Sequence, residues 1–156
     1  MNRNLINEIK KICVDGVSEN VSLKSISRWK VGGIADCIIE PKNKGELKKL
    51  LVLFKRKKVT YVSFGATSNL LFSDKGLRAV AIKIGPRMSG YKKVDNVFDV
   101  LSGMWVPAFA LSVAKAGFVG VEHICGIPAT MGGLTYMNGG SQRKSISSNI
   151  ISVVSI

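Results

Sequence analysis

Three short segments place glycine beside hydroxyl or amide side chains, a combination that suits phosphate binding. They are SRWKVGGIAD at 27–36, YVSFGATSNLLFSD at 61–74 and GIPATMGGLTYMNGG at 126–140. Glycine-rich turns expose backbone N–H groups, which bind phosphate oxygens, and glycine lets a ligand approach the backbone closely. The pattern predicts a phosphate-bearing ligand, with three tight turns as the alternative.

The third segment has five glycines in fifteen residues, with Ile, Met, Leu and Tyr between them. A flexible linker would be polar, and a core helix would not tolerate so many glycines. So bare a backbone in an apolar setting fits either the close approach of a ligand or tight turns. None of the three segments matches GxxxxGK[ST], or GxGxxG after a strand, which disfavours a P-loop and a Rossmann dinucleotide site.

The remaining residues that could act as metal ligands, nucleophiles or acid–base groups are three cysteines and one histidine. Cys13, Cys37 and Cys125 have no metal-ligand spacing and form no CxxC motif. They predict reduced, mostly buried thiols rather than a metal or redox site. His123 is flanked by apolar residues and is expected to be a structural, partly buried imidazole.

The overall composition is that of a globular protein, with 46% hydrophobic and 21% charged residues. The chain has neither a run of 18 apolar residues nor a signal-peptide core, which predicts a cytoplasmic protein with no membrane partner. Its net charge of +13 favours phosphorylated ligands or polyanions. Eight basic residues and one acid fall within 42–58. We interpret this run as a solvated helix end, with a polyanion site as the alternative.

Hydrophobic periodicity predicts the elements that must position these segments. Helices are expected over 3–12, 44–57 and 105–116, and strands over 36–40, 60–64, 77–84, 97–101 and 149–156. Residues 85–93 are expected to form a turn region between two lobes. The predicted fold class is α+β, with an N-terminal helix in 1–20, a first lobe over 21–88 and a second lobe over 89–156.

Taken in order, the three segments resemble the FAD-binding part of the UDP-N-acetylmuramate dehydrogenases, also called UDP-N-acetylenolpyruvoylglucosamine reductases. That family shows N-T-x-R-I-G-G-P-A-D, G-G-G-S-N-L-L and G-I-P-G-T-V-G-G-x-x-x-M-N-A-G, where this chain has SRWKVGGIAD, FGATSNLL and GIPATMGGLTYMNGG. The resemblance covers roughly residues 25–156. It implies a two-lobed FAD-binding fold of the vanillyl-alcohol-oxidase type, with the family's C-terminal substrate domain absent from these residues.

The resemblance also implies which residues bind the FAD cofactor. Lys30 stands where the family often has Arg, and its charge suits a phosphate, although a surface role fits it equally. The loop at 65–69 is implied to wrap the diphosphate, and the 126–140 segment to lie along the flavin. The implied cofactor-binding residues are Lys30, Gly65, Ala66, Thr67, Ser68, Asn69, Gly126, Ile127, Thr130, Met131, Gly132, Gly133, Asn138 and Gly140.

The motifs also depart from the family pattern. Ala66 and Thr67 occupy positions of the triple-glycine loop, and Ala129 replaces another usual glycine. If the backbone φ is positive in the loop, we expect these side chains to crowd the diphosphate.

The implied reaction is a step of peptidoglycan synthesis in cell wall biogenesis. NADPH is the reductant, and UDP-N-acetylglucosamine enolpyruvate, a UDP-sugar, is reduced to UDP-N-acetylmuramate.

The family's catalytic Arg, Ser and Glu match no position of this chain, so we predict no catalytic residue here. We expect the FAD-binding domain of an oxidoreductase that is inactive alone and needs the missing region or a partner chain. Nucleic acid is disfavoured as a partner. The alternative is a divergent, non-catalytic nucleotide- or polyanion-binding module.

Overall fold

The computed structural model describes residues 2–156 as five α-helices and eight β-strands in these residues. No helix among them is long and apolar enough to cross a membrane. The helices are α1 Arg3–Ile12, α2 Leu23–Ile26, α3 Lys44–Lys57, α4 Val106–Lys115 and α5 Met131–Tyr136. The strands are β1 Val17–Ser22, β2 Ile34–Ile39, β3 Tyr61–Phe64, β4 Leu77–Lys83, β5 Tyr91–Val94, β6 Val97–Val100, β7 Gly140–Ser141 and β8 Lys144–Ser145.

The first half of the chain builds a four-stranded sheet in the order β1-β2-β4-β3. Strands β2, β4 and β3 are parallel, and β1 pairs with β2 in the antiparallel sense. Parallel neighbours need a crossover connection, and α3 provides it between β2 and β3. Along β2, Cys37 and Ile39 belong to the core under α1 and α3, whereas Ala35 and Ile38 belong to a second core cluster. Strand β2 is therefore buried on both faces, as the apolar residues that it carries on each face require.

Helix α3 shows how local sequence sets an element's limits. The side chain of Asn43 caps its first turn by accepting a hydrogen bond from the Glu46 N–H at 2.8 Å. The helix ends at Lys58, which adopts a left-handed φ of 53°. Two cations of the last turn, Arg56 and Lys57, form ion pairs with Glu8 of α1. The hydrogen bond from Lys57 holds the pKa of Glu8 below its usual value. Part of the basic run thus fastens α3 to α1.

The second half of the chain packs around a separate core. The antiparallel hairpin β5–β6 lies against α4, where the Phe98 and Phe109 rings meet edge to face at 5.7 Å between centroids. Phe118 contacts Phe98 in the same way at 5.6 Å. The buried members of this core are Val106, Phe109, Ala110, Val113, Ile124, Ala129, Leu134 and Ile146.

The helices and strands whose apolar residues repeat periodically were predicted close to their observed limits, whereas most elements without such a pattern were missed. The helices at 3–12 and 44–57 are confirmed at their predicted limits, and the third predicted helix corresponds to α4. The strands predicted at 36–40, 60–64, 77–84 and 97–101 correspond to β2, β3, β4 and β6. Strand β5 begins inside the predicted turn region, and β1, α2, α5 and the β7–β8 pair were missed.

The strand predicted over 149–156 is wrong. Within the described residues, 150–156 pair with no other strand, and Ile151, Val153 and Val154 are exposed. A β-branched sequence forms a strand only where a neighbouring strand supplies hydrogen bonds and side-chain contacts. Residues 146–149 form a short 3-10 turn instead.

The sulfur and imidazole groups lie mostly in the cores. Cys13 and Cys37 are buried, and burial raises the pKa of each thiol to about 11, whereas Cys125 is exposed. His123 is 5% exposed, and neither ring nitrogen has a hydrogen-bond partner among the described residues. Across residues 2–156, no three His, Cys, Asp or Glu side chains lie close enough together to hold a metal ion.

This distribution predicts the thiol chemistry of the folded protein. A disulfide reagent such as Ellman's reagent at pH 8 should label one thiol per folded chain, since the thiolate is the reactive form and only Cys125 is accessible. In denaturant all three cysteines should react. A Cys125→Ser variant should show no rapid labelling when folded, and rapid labelling of two thiols in the native wild type would contradict the burial of Cys13 and Cys37.

Candidate functional site

The loop at 65–69 follows the carboxyl end of β3 and presents a run of free backbone donors. Among the described residues, no N–H group of 65–69 donates a hydrogen bond to a protein acceptor. Only the next N–H, that of Leu70, turns back to the Thr67 carbonyl at 3.3 Å. The sequence contains no acidic residue between Glu46 and Asp74. Consecutive unpaired N–H groups beyond a parallel strand, without a nearby carboxylate in the loop, form a surface that attracts anions.

Thr67 holds this loop in place through an unusual conformation. Its φ is +60°, a region that β-branched residues rarely enter and that costs about 1–3 kcal/mol. The side chain is 4% exposed and is turned into the protein. Its hydroxyl accepts a hydrogen bond from the Arg28 N–H at 3.2 Å and lies 3.2 Å from the Ile26 carbonyl and 2.7 Å from that of Ala66. The φ is therefore positive, whereas the Thr67 side chain is buried within the protein, and its crowding of a diphosphate stays a prediction.

The loop meets the third glycine segment directly. Gly65 packs so closely against Thr130 that a Cβ on Gly65 would collide with the Thr130 hydroxyl. Further along, the Asn69 amide lies 3.5 Å from the sulfur of Met137. The Thr130 hydroxyl also accepts a hydrogen bond from the Gly133 N–H at 3.4 Å and so caps α5. The fold thus brings together Gly65, Asn69, Thr130 and Gly133, which are far apart in sequence.

Most of the bare backbone in the third segment is used for packing. The N–H groups of Met131 and Gly132 donate to the carbonyls of Met104 and Ser102, each at 2.8 Å. These N–H groups, with that of Gly133, are therefore not free to bind a ligand. A Cβ on Gly132 would lie 2.9 Å from the Cβ of Ser102. Gly126 differs, because a Cβ added there would meet nothing within 4 Å.

The last two glycines of this segment are also packed. A Cβ on Gly139 would meet the Leu134 side chain at 2.6 Å, and one on Gly140 would collide with the Lys144 carbonyl in the β7–β8 pair. Asn138 adopts a positive φ of 46°, and its side chain accepts a hydrogen bond from the Ser147 N–H at 3.2 Å. These positions shape the turn after α5.

The remaining predicted residues take varied positions. Ile127 and Met131 are partly buried against the second core. Ala66 and Ser68 are half-buried in the loop, without a side-chain hydrogen bond among the described residues. Lys30 is exposed with a φ of 56°, and its side chain forms no hydrogen bond or ion pair with either loop in the part of the chain that the structure describes.

The first glycine segment closes the start of β2 rather than offering donors. The Gly33 N–H donates to the Ser73 carbonyl at 3.0 Å, and the Gly33 carbonyl accepts from the Leu23 N–H at 2.8 Å. A Cβ on Gly33 would collide with the Asp74 carbonyl and lie 2.7 Å from the Gly76 nitrogen. Glycine is required here because two backbone segments touch.

Sequence reasoning missed two residues beside the loop. The Arg28 guanidinium carbon lies 5.0 Å from the centroid of the Trp105 ring, a cation–π distance. Trp105 in turn forms an antiparallel bridge with Thr130. Arg28 belongs to the first glycine segment, at 27–36. No rule of sequence spacing links it to Trp105, which lies 77 positions further along the chain.

The chain resembles flavin-binding proteins in sequence. Residues 35–155 match the family model described as "FAD binding domain". UDP-N-acetylenolpyruvoylglucosamine reductase 1 of Corynebacterium glutamicum is 39% identical over 134 residues, which cover 86% of this chain and 40% of that protein. The UDP-N-acetylenolpyruvoylglucosamine reductase of Bacillus subtilis is 32% identical over 147 residues, covering 94% of this chain and 48% of that protein. The chain thus spans less than half the length of these relatives.

Solved structures agree with this similarity. The UDP-N-acetylenolpyruvylglucosamine reductase from Thermus caldophilus superposes with a TM-score of 0.63 and 28% identity over 81% of this chain and 44% of that one. An alkyldihydroxyacetonephosphate synthase superposes with a TM-score of 0.71 at 18% identity, covering 97% of this chain and 32% of that one, which supports the fold alone. The two-lobed flavin-binding fold expected from the motifs is confirmed.

The contrast between two glycines yields a stability prediction. Gly33→Ala should lower the free energy of unfolding by about 1–3 kcal/mol, because its methyl group collides with backbone atoms that cannot move independently. Gly126→Ala, which meets open space, should change it by less than about 0.5 kcal/mol. Urea denaturation of both variants and the wild type measures the difference, and equal stability of the two variants would contradict the packing described at Gly33.

The Thr67 hydroxyl gives a second prediction. Thr67→Val keeps the branched shape and the strained φ but removes the acceptor of the Arg28 N–H. Leaving that donor unpaired should cost about 1–3 kcal/mol of unfolding free energy. Thr67→Ser keeps the hydroxyl and is the matched control, for which we expect a smaller loss. If valine were tolerated as well as serine in urea denaturation, the hydroxyl would not be what fastens the loop.

Proposed function

The chain belongs to the FAD-binding domain family, and from this premise we propose that it forms the cofactor-binding part of a flavin-dependent UDP-N-acetylenolpyruvoylglucosamine reductase. The observation that carries the proposal is the row of unpaired N–H groups at 65–69, set against Thr130 of the third segment. FAD contains a diphosphate, and such a row of donors is suited to it.

The residues of the loop fit a diphosphate. Its backbone donors are free among the described residues, and the Thr67 side chain is buried within the protein. The Ser68 hydroxyl and the Asn69 amide add two side-chain donors. The implied ligands Lys30, Met131, Gly132 and Gly133 gain less support. Lys30 makes no hydrogen bond or ion pair with either loop among the described residues, and the N–H groups of the other three are used within the protein.

In this proposal the protein positions the cofactor and stabilises the negative charge of its diphosphate through hydrogen bonds. Gly126 and Ile127 offer an uncovered backbone and a half-buried apolar side chain to the flat ring. When bound, the flavin supplies hydride transfer from NADPH to the enolpyruvyl group of the UDP-sugar, which is the cofactor's own chemistry. The protein's thiols are unpaired, which fits a reducing cytoplasm.

We propose further that these 156 residues bind FAD but do not complete the reaction by themselves. The relatives named as reductases are more than twice as long as the segment that this chain matches. We infer from the resemblance that the family's proton donor and its charge-stabilising Arg and Glu lie in the part of the relatives that this chain does not match. Turnover would then need the remaining family region, supplied as further polypeptide.

Cofactor binding is tested by titrating the purified protein with FAD and recording flavin absorbance and fluorescence. We expect saturation at one FAD per chain. Ser68→Ala should weaken FAD binding roughly three- to tenfold, the loss of one hydrogen bond. Ser18→Ala is the matched control, since Ser18 is exposed on β1, at the opposite edge of the sheet from the loop. Equal affinities for the two variants would remove Ser68 from the site.

The reaction is tested by following NADPH oxidation with the UDP-sugar substrate, first with this chain alone and then with the family's C-terminal region added. We expect no turnover until that region is present. Turnover by the chain alone would contradict its proposed incompleteness. A protein that takes up no FAD but binds single-stranded DNA in a salt-sensitive manner would instead support the polyanion-binding module.

A further inference from the structure

Arg28 is an unpaired cation at the edge of the same loop. Among residues 2–156, no carboxylate lies within ion-pair distance of its guanidinium, although other exposed arginines such as Arg56 and Arg78 have acidic partners. Its side chain is exposed, and the Trp105 ring supports the guanidinium from one side at 5.0 Å. An arginine that is held by an aromatic face, and not neutralised, keeps its planar set of donors available to an anion.

The backbone fixes Arg28 between both cofactor-binding segments. On one side, its N–H donates to the hydroxyl of Thr67, the central residue of the loop. On the other, Trp105 is bridged to Thr130, whose hydroxyl packs on Gly65. The Arg28 backbone is therefore tied to the loop at Thr67, and its guanidinium lies over a tryptophan that is bridged to the third segment at Thr130.

We propose that the Arg28 guanidinium binds the second phosphate of the FAD diphosphate and makes the site select FAD over flavins with one phosphate or none. The inference rests on the proposed function. The unpaired loop amides suit one phosphate, and Arg28, whose backbone is anchored at Thr67, would place its guanidinium beside the adjoining one. Lys30 is the other cation of this segment, but it has no comparable anchor to either loop in the described residues.

The experiment compares Arg28→Met with Lys24→Met, which removes the same charge from an exposed position on α2. Dissociation constants for FAD, FMN and riboflavin are measured by flavin fluorescence at one fixed ionic strength. Arg28→Met should weaken FAD binding about 10- to 100-fold, the range for hydrogen bonds to a charged group, and riboflavin binding by less than twofold. Arg28→Lys should lie between, and Lys24→Met should stay within twofold of the wild type for all three flavins.

The outcomes separate this inference from the proposed function. Unchanged FAD affinity in Arg28→Met, with FAD bound by the wild type, overturns the role of Arg28 alone. Equal weakening of FAD and riboflavin, with a lower melting temperature, means that Arg28 only supports the fold, which also overturns it. A wild type that binds no flavin overturns both proposals.

Discussion

The hydroxyl of Thr67 is the contact on which the site depends. It joins the loop after β3 to the segment around Ile26 and Arg28, and it does so from a left-handed backbone position that threonine adopts only under constraint. The strain of that position is offset by hydrogen bonds made in a buried setting, where losing them would leave a donor unpaired. While this side chain makes its hydrogen bonds within the protein, the N–H groups of 65–69 make none among the described residues. Threonine stands here where the family motif has glycine, and the hydrogen bonds of its hydroxyl hold the loop in this conformation.

Glycine serves two different purposes in this chain. At Gly33 and Gly132 it allows one backbone to touch another part of the protein, and the N–H groups there are consumed in that contact. At Gly126 a side chain would meet open space, so packing within the protein does not require glycine there. Composition alone could not distinguish glycines that allow close packing within the protein from a glycine that leaves space for a ligand.

Helices and strands could be predicted from the sequence where the spacing of apolar residues shows which face of the element is buried. The stripe of Leu50 and Phe54 on α3 and the apolar run of β2 are such patterns, because one face or both must leave water. Strand β1 lacks the pattern, since its polar residues lie at an edge of the sheet. The apolar run at 150–156 failed for the opposite reason, because strand formation depends on a neighbour that local sequence cannot specify. The order of the glycine motifs identified the family, whereas the contact of Arg28 with Trp105 arises only from the folded topology.

The chemical character of the site favours binding over proton transfer. Its groups are backbone N–H donors, a hydroxyl, an amide and a guanidinium, and at neutral pH none of these is a ready general acid or base. The one histidine of the chain is buried in a 3-10 turn of the second half, and the two core thiols hold their protons because burial raises the pKa of each to about 11. What this part of the chain supplies is a rigid, positively polarised surface. A flavin carries its own redox chemistry, so holding its phosphates still is the contribution that such a surface can make. A surface of this kind can hold an anionic cofactor without donating a proton, so cofactor binding by this part of the chain does not by itself imply turnover.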